Sequence, residues 1–170
     1  RVLFRSAFRH VGPVRRELGV PTIFNLLGPM ANPAAVAYML VGVANPARMA
    51  TMAAVLAQRT TASLVVHGHG GLDELSLAGP NRVLATRSGV VEAESAVHAG
   101  DVGVASVANE FLRGGDPAHN AQVVLDLLTN GLRGPIRDVV VLNAAAALHL
   151  TGAAVSLRAG ATLADATIKS

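Results

Sequence analysis

Two segments of strand length, the continuous apolar run AYMLVGV at 37–43 and the largely apolar ASLVVH at 62–67, constrain this chain more than any other feature. A strand with one wet face alternates apolar and polar residues, whereas a run like these belongs to a strand covered on both faces. Between them, Asn45-Pro46 has the chemistry of a helix start, an Asn cap followed by Pro at the first helical position. The helix is expected to run to about Arg59, with Met49, Met52, Val55 and Leu56 as its apolar stripe. A strand–helix–strand unit favours parallel pairing. The expected architecture is therefore α/β, a mostly parallel sheet flanked by helices. With 170 residues, 51% hydrophobic and 15% charged, the chain has the material for one well-buried core.

The remaining elements follow from local signals. Val11–Leu18 reads as a short helix stopped by Gly19, and 21–30 (PTIFNLLGPM) as an apolar loop. Residues 68–74 form a Gly-rich loop after the second strand. Arg82–Arg87 and Val90–Glu94 flank Ser88-Gly89 as a hairpin. Val104–Leu112 is expected to be helical. Asp116-Pro117 caps a helix that reaches Thr129 and ends at Asn130-Gly131. A last long helix, Pro135–Leu150, is Ala- and Val-rich all round and is expected to be buried.

Composition removes several function classes. There is no Cys, which excludes disulfide frameworks, Cys-based zinc sites and thiol catalysis. No apolar stretch reaches the roughly 18 residues a membrane span needs, no secretory leader is visible, and a cytoplasmic setting is expected. The pI near 10.5 overstates basicity: Lys+Arg is 14 against 11 Asp+Glu, a net charge of +3, and every base except Lys169 is Arg. Aromatic residues are 3% and Trp is absent, so the stacking platforms of a nucleic-acid binder are missing.

Four constellations could carry chemistry. Asp73 and Glu74 follow Gly70-Gly71-Leu72 at the carboxyl end of a buried strand, the edge where open α/β sheets collect ligands. Adjacent carboxylates on a loop can converge on one Mg²⁺, which accepts one or two of them and completes its shell with substrate phosphates and water. The plainer alternative is the first turn of a helix, where acids suit the dipole. Arg15, in RHVGPVRRELG, is a natural clamp for a planar carboxylate, or else part of a solvated Arg–Glu face. The loop Phe24–Pro29 could wall a flat ligand or simply cover a core edge. Gly114-Gly115-Asp116 with Asn120 reads as a turn and helix cap, and His67 as a hydrogen-bonded packing residue. His67, His69 and His119 show no zinc spacing.

Together these segments are far more specific than singly. RHVGPVRRELGVPTIFNLLGPMANP (9–33), LVVHGHGGLDEL (64–75), LRGGDPAHNA (112–121) and GPIRDVVVLNAAAALHLTG (134–152) resemble, in order and spacing, the anthranilate phosphoribosyltransferases. The resemblance implies the large domain of the nucleoside phosphorylase/phosphoribosyltransferase-like fold. It implies transfer of the phosphoribosyl group of phosphoribosyl pyrophosphate (PRPP) to anthranilate, a step of tryptophan biosynthesis, with Mg²⁺ as cofactor and a homodimeric parent. By the same resemblance Arg15 holds the anthranilate carboxylate, Pro29 lies against its ring, and Asp73 and Glu74 hold Mg²⁺ beside the pyrophosphate.

Departures from the family pattern are also informative. The family's Gly-Thr-Gly-Gly-Asp PRPP loop and helical N-terminal domain are absent, so residues 7–170 are expected to be part of a longer chain and inactive alone. Arg1–Ser6 (RVLFRS) reads as a translated sequencing adapter, standing where the family has a His-Pro pair at 5 and 6. Gly70 stands where family members often carry Asp. The alternatives are a pyrimidine nucleoside phosphorylase-like enzyme, which has no use for the acid pair or the Arg15 clamp, and a non-enzymatic paralogue that binds nucleic acid, which should carry a basic groove.

Overall fold

The computed structural model describes residues 12–14, 17–18, 30 and 34–169. Its sheet is built from β1 (Tyr38–Gly42), β2 (Ala62–His67), β3 (Asn81–Arg87), β4 (Val90–Val91) and β5 (Ser95–Val97). Its helices are α1 (Met49–Ala57), α2 (Ala99–Val102), α3 (Pro117–Thr129), α4 (Pro135–Leu150) and α5 (Leu157–Ile168). The two apolar runs pair in parallel, Tyr38 opposite Ala62 through Gly42 opposite Val66. Asn45 caps as expected: its Oδ1 accepts the Ala47 N–H (3.0 Å), and Pro46–Arg48 forms a 3-10 turn leading into α1.

Burial explains why β1 and β2 are largely apolar. Val41, Val43 and Val65 face α1 and pack on Met49, Met52 and Leu56. Val66 faces the other way, into a core with Leu142, Ala145 and Ala146 of α4 and Ala161 and Ala164 of α5. Each fully buried Leu or Val of this kind stabilises the fold by about 1.5–3 kcal/mol.

The sheet is mixed rather than mostly parallel. After β2 the chain makes no helical crossover. It forms a loop over 68–80 and returns as β3 antiparallel to β2, with Ala62 opposite Arg87 and His67 opposite Arg82. Across this pair the buried hydroxyls of Ser63 and Thr86 lie 2.7 Å apart. β4 and β5 both pair antiparallel with β3; of the expected strand Val90–Glu94 only Val90–Val91 is strand, and β5 begins just beyond it at Ser95.

Three further expectations are corrected. The helix expected over Val104–Leu112 is displaced. The helical turn is α2, ended by Gly103 at φ +83°, and only Asn109–Leu112 forms a 3-10 turn. Val104 and Val107 instead pack, partly buried, on the core. α4 has the expected bounds, but burial is confined to the face carrying Val141, Leu142, Ala145, Ala146 and Leu150, while Val140 and His149 are exposed. In 11–18 the described residues, Gly12–Val14 and Glu17–Leu18, are helical. Met30, expected in a loop, is helical and buried in the α1-side core. α3 starts and stops where Asp116-Pro117 and Asn130 predict, yet Leu127 is its one buried residue, and Val124, Leu125 and Leu128 are exposed.

Candidate functional site

β1 and β2 are parallel, so their carboxyl ends share one edge of the sheet, and the loop 68–80 turns over that edge. Gly68 opens it with an isolated bridge to Leu72, Gly68 N–H donating back to the Leu72 carbonyl (2.8 Å). Asp73 and Glu74 follow, both exposed and in irregular backbone rather than in the first turn of a helix. Neither carboxylate has a hydrogen-bond or ion-pair partner among the described residues.

Two glycines let this turn sit where it does. A Cβ on Gly42, at the end of β1, would overlap the carbonyl oxygen of Asp73 and lie 2.9 Å from its Cα. A Cβ on Gly68 would overlap the Glu74 carbonyl oxygen and lie 3.1 Å from the Leu72 Cβ. The backbones of both acids therefore rest directly on the strand ends, with no side chain between.

Three asparagines hold the rest of the loop. Asn81, fully buried at the start of β3, accepts the N–H of Ser76 (2.7 Å) and of His69 (3.2 Å) at Oδ1. Its Nδ2 donates to the carbonyls of Ser76 (2.9 Å) and Val97 (2.8 Å). Asn109 donates to the His69 carbonyl (2.9 Å) and accepts the Ser76 hydroxyl (2.6 Å). Asn143 of α4 accepts the Leu75 N–H (3.0 Å) and donates to the Leu75 carbonyl (2.9 Å). Sequence reasoning misses all three. Asn81 and Asn109 look like turn residues, but a carboxamide in the apolar run VVVLNAAAAL is a usable signal, because a buried polar group needs a partner.

The other histidine and cap expectations hold. His67 Nδ1 lies 2.8 Å from the Val43 carbonyl oxygen, which can only accept, so this nitrogen carries the proton and bonds across the strand ends. Asp116 Oδ1 accepts the His119 N–H (2.8 Å), and Asn120 Oδ1 accepts the Gly115 N–H (2.8 Å), a helix cap and a turn. Arg15 and Pro29 lie outside the described residues.

The donor set at the turn fits a hard cation that brings its own ligands. No group of three or more His, Asp or Glu side chains gathers among the described residues. Two free, exposed carboxylates on adjacent residues match the one or two that Mg²⁺ takes when phosphates and water supply the remainder. No helix among the described residues is long and apolar enough to cross a membrane.

Comparison with known proteins agrees with this architecture. The anthranilate phosphoribosyltransferase of Chloroflexus aggregans is 46% identical over 168 residues, which are 98% of this chain and 49% of that protein. The crystal structure of the anthranilate phosphoribosyltransferase from Thermus thermophilus superposes with a TM-score of 0.86 at 43% identity, covering 96% of this chain and 48% of its own. A variant of the Saccharomyces cerevisiae anthranilate phosphoribosyltransferase, solved with Mg bound, superposes at 0.84 with 25% identity over 94% of this chain and 47% of its own. The chain thus spans about half the length of the curated relatives it matches. The model of the glycosyl transferase family a/b domain matches residues 2–170. With that match over nearly its whole length, and with a mixed sheet between two helical layers beneath an acid turn, the chain belongs to the glycosyl transferase family.

Proposed function

We propose that this chain supplies the acceptor pocket and the metal ligands of an anthranilate phosphoribosyltransferase. The observation that carries the reading is the Asp73-Glu74 turn, whose backbone is seated on the carboxyl ends of two parallel strands and whose carboxylates are exposed and without a partner among the described residues. The reaction breaks the bond between the ribose C1 of PRPP and its pyrophosphate oxygen, the electron pair leaving with pyrophosphate. The anthranilate nitrogen forms the new bond to C1 and gives up a proton to solvent.

Asp73 and Glu74 would hold Mg²⁺, which supplies charge neutralisation for the departing diphosphate. The chain's own residues do the rest. Arg15 grips the anthranilate carboxylate with a planar, permanently charged fork and so fixes the amine's direction of approach. Pro29 offers a rigid apolar surface to the ring. An aromatic amine is uncharged at neutral pH, so holding it in line contributes more than a strong base would. A nucleoside phosphorylase has no diphosphate to neutralise and would leave the acid pair without work.

Binding to the chain tests this directly. Calorimetric titration with Mg²⁺ and inorganic pyrophosphate should give a signal that disappears in the Asp73→Asn, Glu74→Gln double variant. Unaltered titrations in that variant would remove the acids from the role. Anthranilate fluorescence should report binding that Arg15→Ala weakens by roughly 2–4 kcal/mol, the scale of a truncated charge pair; equal affinity would dismiss the clamp. The 170 residues alone should release no pyrophosphate from PRPP and anthranilate, and measured turnover would refute the expectation that other segments complete the PRPP site.

A further inference from the structure

The geometry points to Asn143 as the positioning residue of the acid pair, a side chain that touches neither metal nor substrate but fixes where Asp73 and Glu74 stand. This rests on the reading of those acids as magnesium ligands.

Asn143 lies on α4, 68 residues along the chain from the peptide it holds. Its carboxamide closes a two-bond ring with one residue, Leu75, which directly follows Glu74. The Leu75 N–H can only donate and its carbonyl can only accept, so the amide's orientation is determined: Oδ1 meets the N–H at 3.0 Å and Nδ2 meets the oxygen at 2.9 Å. The second Nδ2 hydrogen goes to the Val139 carbonyl one turn back (3.0 Å), which locks the side chain against its own helix. Asn143 therefore behaves as an extra strand partner for one residue.

What it holds is anchored at both ends. The helix side is rigid, because Leu142 and Ala145 beside Asn143 are completely buried. The Leu75 side chain is itself 1% exposed in the same core. On the other side of the acids, Gly42 and Gly68 place the Asp73 and Glu74 carbonyls on the strand ends. Between these fixed points the two carboxylates have no partner among the described residues that would orient them. Their placement relative to a metal is therefore set by the backbone, and Asn143 is the side chain that grips that backbone at the residue next to Glu74. Groups that orient metal ligands in this indirect way typically contribute about 10–100-fold in metal affinity.

The test uses this chain with Mg²⁺ and inorganic pyrophosphate as probes, read by calorimetry, together with amide hydrogen exchange at Leu75. Asn143→Ala should weaken Mg²⁺-dependent pyrophosphate binding by about 10–100-fold and speed Leu75 exchange. Asn143→Asp has the same shape, keeps the bond to the Leu75 N–H and loses the one to its carbonyl. It also adds a negative charge, which attracts Mg²⁺ but repels pyrophosphate, so this variant is titrated with Mg²⁺ alone, where binding weaker than the parent's comes from displacement of the turn. It serves if Asn143→Ala does not fold. Leu142→Ala, which opens a core cavity at the neighbouring position, should lower the melting temperature without changing affinity at temperatures where it is folded. If Asn143→Asp binds as tightly as the parent while Asp73→Asn, Glu74→Gln does not bind, the positioning role is wrong and the metal reading stands. If the double acid variant binds like the parent, the metal reading fails and this inference with it.

Discussion

Gly42→Ala is the smallest perturbation that should separate the acid turn from the sheet beneath it. The added methyl would overlap the Asp73 carbonyl oxygen and come within 2.9 Å of the Asp73 Cα, against an ordinary contact of 3.4 Å or more. Both atoms are backbone, so no flexible side chain can swing aside. Nor can the turn slide off freely, since Leu75 is tied to Asn143 and Ser76 to Asn81. Overpacking of this kind costs about 1–3 kcal/mol. Against it stands a gain of about 0.5–1 kcal/mol, because alanine has less backbone freedom than glycine in the unfolded chain. Because the overlap is with backbone, the upper part of that cost, about 2–3 kcal/mol, applies, and the net expectation is destabilisation by about 1–2.5 kcal/mol, which for a domain of this size lowers the melting temperature by about 2–10 °C. Mg²⁺-dependent pyrophosphate binding should fall with it. Gly71→Ala is the matched control: nothing lies within 4 Å of its Cβ, and its φ of +88° costs about 1 kcal/mol of local strain without moving the acids. Gly42→Ala protein that melts and titrates like the parent would refute the argument, as would a Gly71→Ala variant that harms metal binding more.

Other expectations follow from the same geometry. Asn81→Ala leaves the buried Ser76 carbonyl and N–H and the part-buried Val97 carbonyl without this partner, and should destabilise by at least about 2 kcal/mol in chemical denaturation; a change under half that would mean water replaces the amide. The Arg82 guanidinium donates to both Glu94 oxygens (2.5 and 2.9 Å) and by that hydrogen bonding holds the Glu94 carboxyl below its ordinary value. A carboxyl lowered in the folded state contributes stability that is present above the unfolded value, about 4.3, and is lost as pH falls through the lowered one. An NMR titration should therefore show the Glu94 midpoint rising toward the ordinary value in Arg82→Gln, and an unmoved midpoint would exclude the pair as its cause.

Much of this fold is legible in residue order because its signals are local. A run covered on both faces needs no alternation, which is how 62–67 announces β2, and Asp116-Pro117 or Pro135 mark helix starts by capping chemistry that acts within one turn. Where distant segments decide, the reading weakens. Nothing near β3 says that it returns beside β2 rather than across the sheet, since the loop 68–80 is held by Asn81, Asn109 and Asn143 from three separate places. Val104–Leu112 has helical composition, yet Gly103 at positive φ ends the helix before it, and Val104 and Val107 are drawn into the core instead. The acid pair is visible as a pair. Its seat is not, because Gly42 meets Asp73 only once the sheet has formed.

The bareness of α3 has a kinetic consequence. Among the described residues α3 buries only Leu127, so it has little apolar burial to lose when it frays, and its opening should be a local event of low cost that leaves the sheet intact. Its amides should exchange with solvent well before those of α4, and a protease should make its first cut there while the strands and their other helices are still folded.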